Sequence, residues 1–156
     1  MHSHHTETLN KAIVRRMFDE MWNEGNLDVV DELFDPNYAG HDPTDPNPET
    51  REVHSSADAK QWVGMVRAAV PDIHFTVDDL IAEGDKVIAR WTAEGTHTGE
   101  LMGIPATGRR GRVSGILIYR IVDGKIKEGW QNWNTIGLLQ QLGILPSPLD
   151  LREDQK

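Results

Sequence analysis

The run Trp62-Val63-Gly64-Met65-Val66-Arg67-Ala68-Ala69-Val70-Pro71-Asp72-Ile73-His74-Phe75-Thr76-Val77-Asp78 decides the fold class. Up to Val70 the apolar residues Trp62, Val63, Met65, Val66, Ala69 and Val70 recur at the spacing of one helix face. Pro71 has no amide hydrogen and its ring clashes with the preceding turn, so the helix ends there. Beyond it Ile73, Phe75 and Val77 alternate with His74, Thr76 and Asp78, the period-two pattern of a half-buried strand. Helical patterning precedes this point and strand patterning follows it, so the class is α+β rather than a βαβ repeat.

Toward the N-terminus, Leu9, Ile13, Met17 and Met21, with Val14, Phe18 and Trp22 one position on, make a wide apolar stripe on one helix. Thr6 is suited to cap its start and Gly25 to end it. A second helix is expected over residues 27–34, stopped by Asp35-Pro36. Residues 40–50, with three prolines, two aspartates and two threonines, read as an ordered loop or lid. Ser56 then opens the third helix. Toward the C-terminus, Glu83-Gly84-Asp85 is a turn, residues 86–97 a long strand and 98–108 a connection rich in Gly and Pro. Strands are expected over 112–121 and 125–133, joined by a hairpin at Asp123-Gly124, and a last helix over 135–142. Three helices on one face of a curved antiparallel sheet form a cone whose open end is a pocket. The domain spans residues 9–145, between a flexible N-terminus at 1–8 and a tail at 146–156.

A chain of 156 residues fits one domain and buries a sizeable core without staples. Its formal net charge of −9 repels phosphate backbones, and Arg109, Arg110 and Arg112 are too few to reverse that, so nucleic acid is not an expected partner. The absence of cysteine excludes a disulfide scaffold, a thiolate metal site and a cysteine nucleophile, and points to the cytoplasm. No apolar run is long enough to span a bilayer and the first ten residues lack a secretory apolar core. His2, His4 and His5 lie in a terminus without periodic context rather than in a metal site, and neither metal nor cofactor is expected.

The segment from Trp91 through Thr96-His97-Thr98-Gly99 to Pro105-Ala106-Thr107-Gly108-Arg109 resembles the signature of the SnoaL-like polyketide (ester) cyclases. So do Tyr119 to Trp130, Gly137-Leu138-Leu139-Gln140-Gln141-Leu142-Gly143 and the earlier Tyr38-Ala39-Gly40-His41-Asp42-Pro43. The resemblance runs from about residue 9 to 145. It implies the cone fold shared with ketosteroid isomerase and nuclear transport factor 2, and a homodimer or higher oligomer packed through the outer sheet face. It also implies cofactor-independent aldol ring closure in a polyketide ester, in which a carboxylate takes a proton alpha to a carbonyl and the site holds the enolate. The family's base is an aspartate on the last strand, shortly after the position of Trp130. The nearby residues here are Gln131-Asn132-Trp133-Asn134, and the acid aligns with Asn134, whose amide cannot serve as a base.

Asn134 therefore reads either as the cap of the last helix or as a hydrogen-bond donor to an enolate. Glu128, Trp130, Asn132 and Asn134 share one strand face, which either lines a polar cavity or faces solvent. His97, and after it His41 or Glu128, are the alternative proton-transfer groups, with structural roles in a loop and a turn as the other reading of the two histidines. Arg90 pairs with a carboxylate such as Glu128 or reaches an anionic ligand group. Trp62, Trp91, Trp130 and Tyr119 either stack on a planar, mid-sized apolar carbonyl compound or pack the core. A non-catalytic binding module and an epoxide hydrolase-like enzyme are the rival readings of the same cavity.

Overall fold

Residues 4–146 are described by the computed structural model. Helix α1 (His4–Arg16) continues directly into wider π-helical turns at Met17–Asn23, which bury Met17, Phe18 and Met21. Asn23 anchors these turns, because its amide donates to the Phe75 carbonyl at 3.0 Å and accepts the Phe75 N–H at 2.7 Å. Gly25 ends the segment with φ +73°, a left-handed conformation that favours glycine. Then come α2 (Val29–Leu33), β1 (Phe34–His41), β2 (Glu52–Val53) and α3 (Ser56–Ala69). Four long strands follow, β3 (His74–Glu83), β4 (Lys86–Thr96), β5 (Arg110–Val122) and β6 (Lys125–Trp133), and α4 (Thr135–Gln141) closes the order.

The strands form one sheet in the order β2-β1-β6-β5-β4-β3. Its concave face and the N-terminal helices enclose a core in which Val14, Met17, Phe18, Val30, Val87 and Ile126 are fully buried. The switch from helix to strand period at Pro71 and the four long strands lie where the sequence places them.

Several expectations need correction. The sheet is not wholly antiparallel, since β1 runs parallel to β6, with His41 level with Trp130. Strand β1 has no counterpart in the sequence pattern. Pro36 can donate no ladder bond, and the register shifts between Phe34 and Ala39, which hides the strand period. Helix α1 is already running at His4, so Thr6 does not cap it. Ser55, not Ser56, caps α3, its Oγ accepting the Asp58 N–H at 3.0 Å. Met65 leaves the expected apolar face, at 46% exposure. His2 and the expected tail, beyond Pro146, lie outside the described residues.

Asn134 caps α4, its side-chain oxygen accepting the Gly137 N–H at 3.0 Å. Asn134→Ala should therefore lower stability by about 1 kcal/mol, whereas Asn134→Asp, an equally good cap, should stay close to the parent. Urea denaturation of the two variants checks this.

Candidate active site

Two confluent lobes hollow the concave side of the sheet. The apolar lobe, about 130 Å³, is walled by Val66, Leu101, Met102, Val113 and Leu138, with His97 among them. The polar lobe, about 100 Å³, holds Tyr38, His41, Asp45, Arg51 and Tyr119. Trp22, Asp42, Trp62, Phe75 and Gln131 line both and so mark the junction. Glycine makes room for the large rings. A Cβ on Gly115 would stand 2.4 Å from the Trp91 indole, and one on Gly129 2.6 Å from both the Tyr38 hydroxyl and the Tyr119 ring. Trp91 donates its Nε1–H to Gln131 Oε1 at 3.3 Å, which leaves the amide NH2 of Gln131 as the donor end. Burial pushes the phenols of Tyr38 and Tyr119 up, so both remain protonated donors.

His97 is 3% exposed. Its Nδ1 accepts the Thr107 N–H of the connection after β4 at 3.3 Å and lies 3.0 Å from the Thr107 hydroxyl. An Nδ1 that accepts carries no hydrogen, so the ring proton sits on Nε2. Nε2 is buried without a partner. A buried donor left unmatched costs free energy, which a ligand oxygen in the adjoining lobe would recover.

Asp42 follows the last residue of β1. Its Oδ1 accepts the Thr44 N–H at 3.1 Å and the Thr44 hydroxyl at 2.6 Å, and its Oδ2 accepts the Trp133 indole N–H at 2.9 Å. Desolvation raises this carboxyl above the usual aspartate value; the bonds from Thr44 and Trp133 oppose that, and the charge of Asp45 adds to it. The loop after β1 is clamped to the end of β6, where the Trp133 N–H meets Thr44 Oγ1 at 3.2 Å and the Thr135 hydroxyl meets the Thr44 carbonyl at 2.5 Å.

The structure gathers some of the residues singled out from the sequence and scatters others. His97, Trp62 and Trp91 line the apolar lobe, and His41, Tyr119, Trp130 and again Trp62 the polar one. Arg90, Glu128, Asn132 and Asn134 line neither. Arg90 is paired with Asp79 at 2.6 Å on the exposed sheet face, not with Glu128, and Asn134 is engaged as a cap. Alternation on β6 explains the rest, because Gly129, Gln131 and Trp133 face inward while Glu128 and Asn132 face out. Asp42, Gln131, Trp22 and Tyr38 were missed as cavity residues. For Gln131 a signal existed, in that inward residues must alternate with Asn132.

The chain belongs to the SnoaL-like polyketide cyclase family, whose model matches residues 12–142. It is similar to aklanonic acid methyl ester cyclase DnrD of Streptomyces peucetius, at 35% identity over 84% of this chain and 88% of that one. It is also similar to nogalonic acid methyl ester cyclase of Streptomyces nogalater, at 37% identity over 78% and 89%. Among solved structures, TsrD from Streptomyces laurentii superposes with a TM-score of 0.78 at 32% identity, over 88% of this chain and 97% of that one. No helix among the described residues is long and apolar enough to cross a membrane.

His41 ties three strands together. Its Nδ1 meets Glu52 of β2 at 2.6 Å and its Nε2 meets Glu128 of β6 at 2.9 Å, and the ring lies 5.9 Å from that of Trp130. Donation to two carboxylates requires both ring nitrogens to carry hydrogen. The bond to Glu128 is the main cause raising the His41 pKa, and the same bond is the main cause lowering that of Glu128. The raised imidazole makes its full contribution to stability below its unfolded value of about 6.5 and loses it as pH rises through the folded value. The lowered carboxyl acts oppositely, contributing above about 4.3 and failing as pH falls through its folded value. Thermal melts from pH 5 to 9 should show stability declining above about pH 6.5, by less than about 1 kcal/mol because the groups are partly exposed. His41→Gln should flatten that decline.

Proposed function

We infer that the protein closes a ring in a polyketide methyl ester by intramolecular aldol condensation. The single observation that carries this reading is the unpartnered Nε2–H of His97 in an apolar lobe. Deprotonation alpha to a carbonyl puts negative charge on an oxygen, and a preset donor in a water-poor cavity stabilises that charge more than it stabilises the neutral substrate. Gln131, with its NH2 end free of Trp91, is a second donor at the lobe junction. The family membership and the two ester cyclases among the relatives support the same chemistry. Trp62 and Trp22 at the junction suit a flat, largely apolar substrate. Cytoplasmic residence agrees with the cysteine-free sequence.

The outer sheet face supports a homodimer as the working form. Ile81, Ile88 and Ile118 stand in register across β3, β4 and β5 with Ile116 on the same face, and Ile81 and Ile116 are 59% and 50% exposed. Such a continuous apolar row is suited to cover by another subunit.

Aklanonic and nogalonic acid methyl esters are the test substrates. Ring closure is isomerisation, so the expected product keeps the substrate mass and changes retention and absorption. No conversion of either ester, together with no exchange of their alpha protons in deuterium oxide, would remove the cyclase reading. His97→Leu should lower kcat by about 10²- to 10³-fold, the usual cost of one oxyanion donor. His97→Gln, which restores an N–H, should recover part of that loss, and equal loss in both variants would count against a donor role. Sedimentation velocity at micromolar concentration should give a dimer, and Ile118→Lys a monomer.

A further inference from the structure

Ring closure needs a base, and β6 supplies no acid to the cavity: its inward residues near the junction are Gln131 and Trp133. The neighbouring strand supplies one. Because β1 and β6 are paired in parallel with His41 level with Trp130, β1 ends beside the stretch of β6 that presents Gln131, and Asp42 is the first residue beyond that end. Both line both lobes. The indole of Trp133 reaches from β6 to Asp42 Oδ2 and fixes the carboxylate at that place. Resting on the cyclase reading, we propose that Asp42 is the general base of this protein, a carboxylate delivered from the end of β1 to the place where the last strand holds an amide.

The other acidic and basic groups around the lobes are committed elsewhere. Glu94 is 41% exposed and paired with Arg110. Asp45 touches the polar lobe alone, and its oxygens hold the Asn47 N–H and the Thr50 hydroxyl. Arg51 donates to the Asp45 carbonyl. Both nitrogens of His41 are on carboxylates, and His97 presents a hydrogen rather than a lone pair. Asp42 Oδ2 accepts the Trp133 indole N–H and keeps a second lone pair.

In the step that follows, the alpha C–H bond breaks, the proton passes to Asp42 Oδ2 and the electron pair moves into the enolate, whose oxygen accepts from His97 Nε2–H. The enolate carbon then attacks the second carbonyl of the same molecule, a C–C bond forms, and the new alkoxide takes the proton back from Asp42. Atoms and charge balance with no co-reactant. Burial supports the role, since a carboxyl held above its ordinary value binds the abstracted proton more firmly. Trp133 is a positioning residue for it.

Three measurements test the assignment on the full chain with the two methyl esters. Asp42→Asn, which keeps an oxygen for Trp133, should lower kcat and alpha-deuterium exchange by about 10²- to 10⁴-fold while ester binding, followed by tryptophan fluorescence, changes little. Asp42→Asn combined with Gln131→Asp, which moves the carboxylate one strand over, should regain part of the loss. The unaltered protein should lose kcat/KM as pH falls through a single limb lying above the ordinary aspartate value of about 3.9, whatever the fate of the variants. Facing Asp42 in that titration are Asp45 and Arg51 on its own loop side and Glu94 and His97 across the lobe. A parental rate in folded Asp42→Asn, or a profile flat through the acidic range, overturns the assignment of Asp42 and leaves the cyclase reading in place. Failure of the unaltered protein to convert or exchange either ester overturns both.

Discussion

The parallel ladder between β1 and β6 is the constraint on which the cavity depends. Every other pair in the sheet is antiparallel and could be built by hairpins and short connections, but this pair joins the two ends of the domain in sequence. It brings the loop after β1 onto the end of β6, where Thr44 and Asp42 exchange hydrogen bonds with Trp133 and Thr135. It also lets His41 bridge Glu52 and Glu128 on the two strands beside its own. The polar wall of the cavity is thus assembled from segments about ninety residues apart.

Polar groups buried in this wall are matched in a definite order. Loop 42–50 satisfies itself through Asp42 on Thr44, Asp45 on Asn47 and Asn47 on Glu49, which is why an aspartate at 1% exposure is tolerated at position 45. Trp91 and Trp133 give their indole hydrogens to Gln131 and Asp42. Against that pairing, the buried Nε2 of His97 stands without a partner among the described residues, and its ring lines the lobe walled mostly by apolar side chains.

Patterns with a local cause were readable from the sequence. Apolar periodicity placed α3, β3, β4, β5, β6 and α4, and the cap preference of Asn placed the start of α4. What depended on distant partners was not readable. Strand β1 contains Pro36 and gains its ladder from β6, ninety residues on, so no nearby alternation announces it. The same gap hid Asp42, because its position in the cavity is inherited from that ladder. The partner of Arg90 depended on its strand face, which the sequence does not fix; it stands on the outer face with Asp78 and Asp79. His97 stood out by its place at the strand end, but the hydrogen on Nε2 follows from Thr107, ten residues later, and from nothing in its own surroundings along the chain.

The π-helical turns at Met17–Asn23 carry a consequence of their own. Their hydrogen bonds close around five residues rather than four, as between the Glu24 N–H and the Asp19 carbonyl, so the segment holds an extra residue within an otherwise continuous rod. Such a widening resets the angular phase of whatever comes after it. Trp22 owes its aim into the cavity, and Asn23 its grip on Phe75, to that phase offset. Loss of a single residue there would let the rod relax to the ordinary pitch and swing both side chains away by roughly a quarter of a revolution. In this fold the width of one helical turn is a determinant of what the enzyme's cavity can hold.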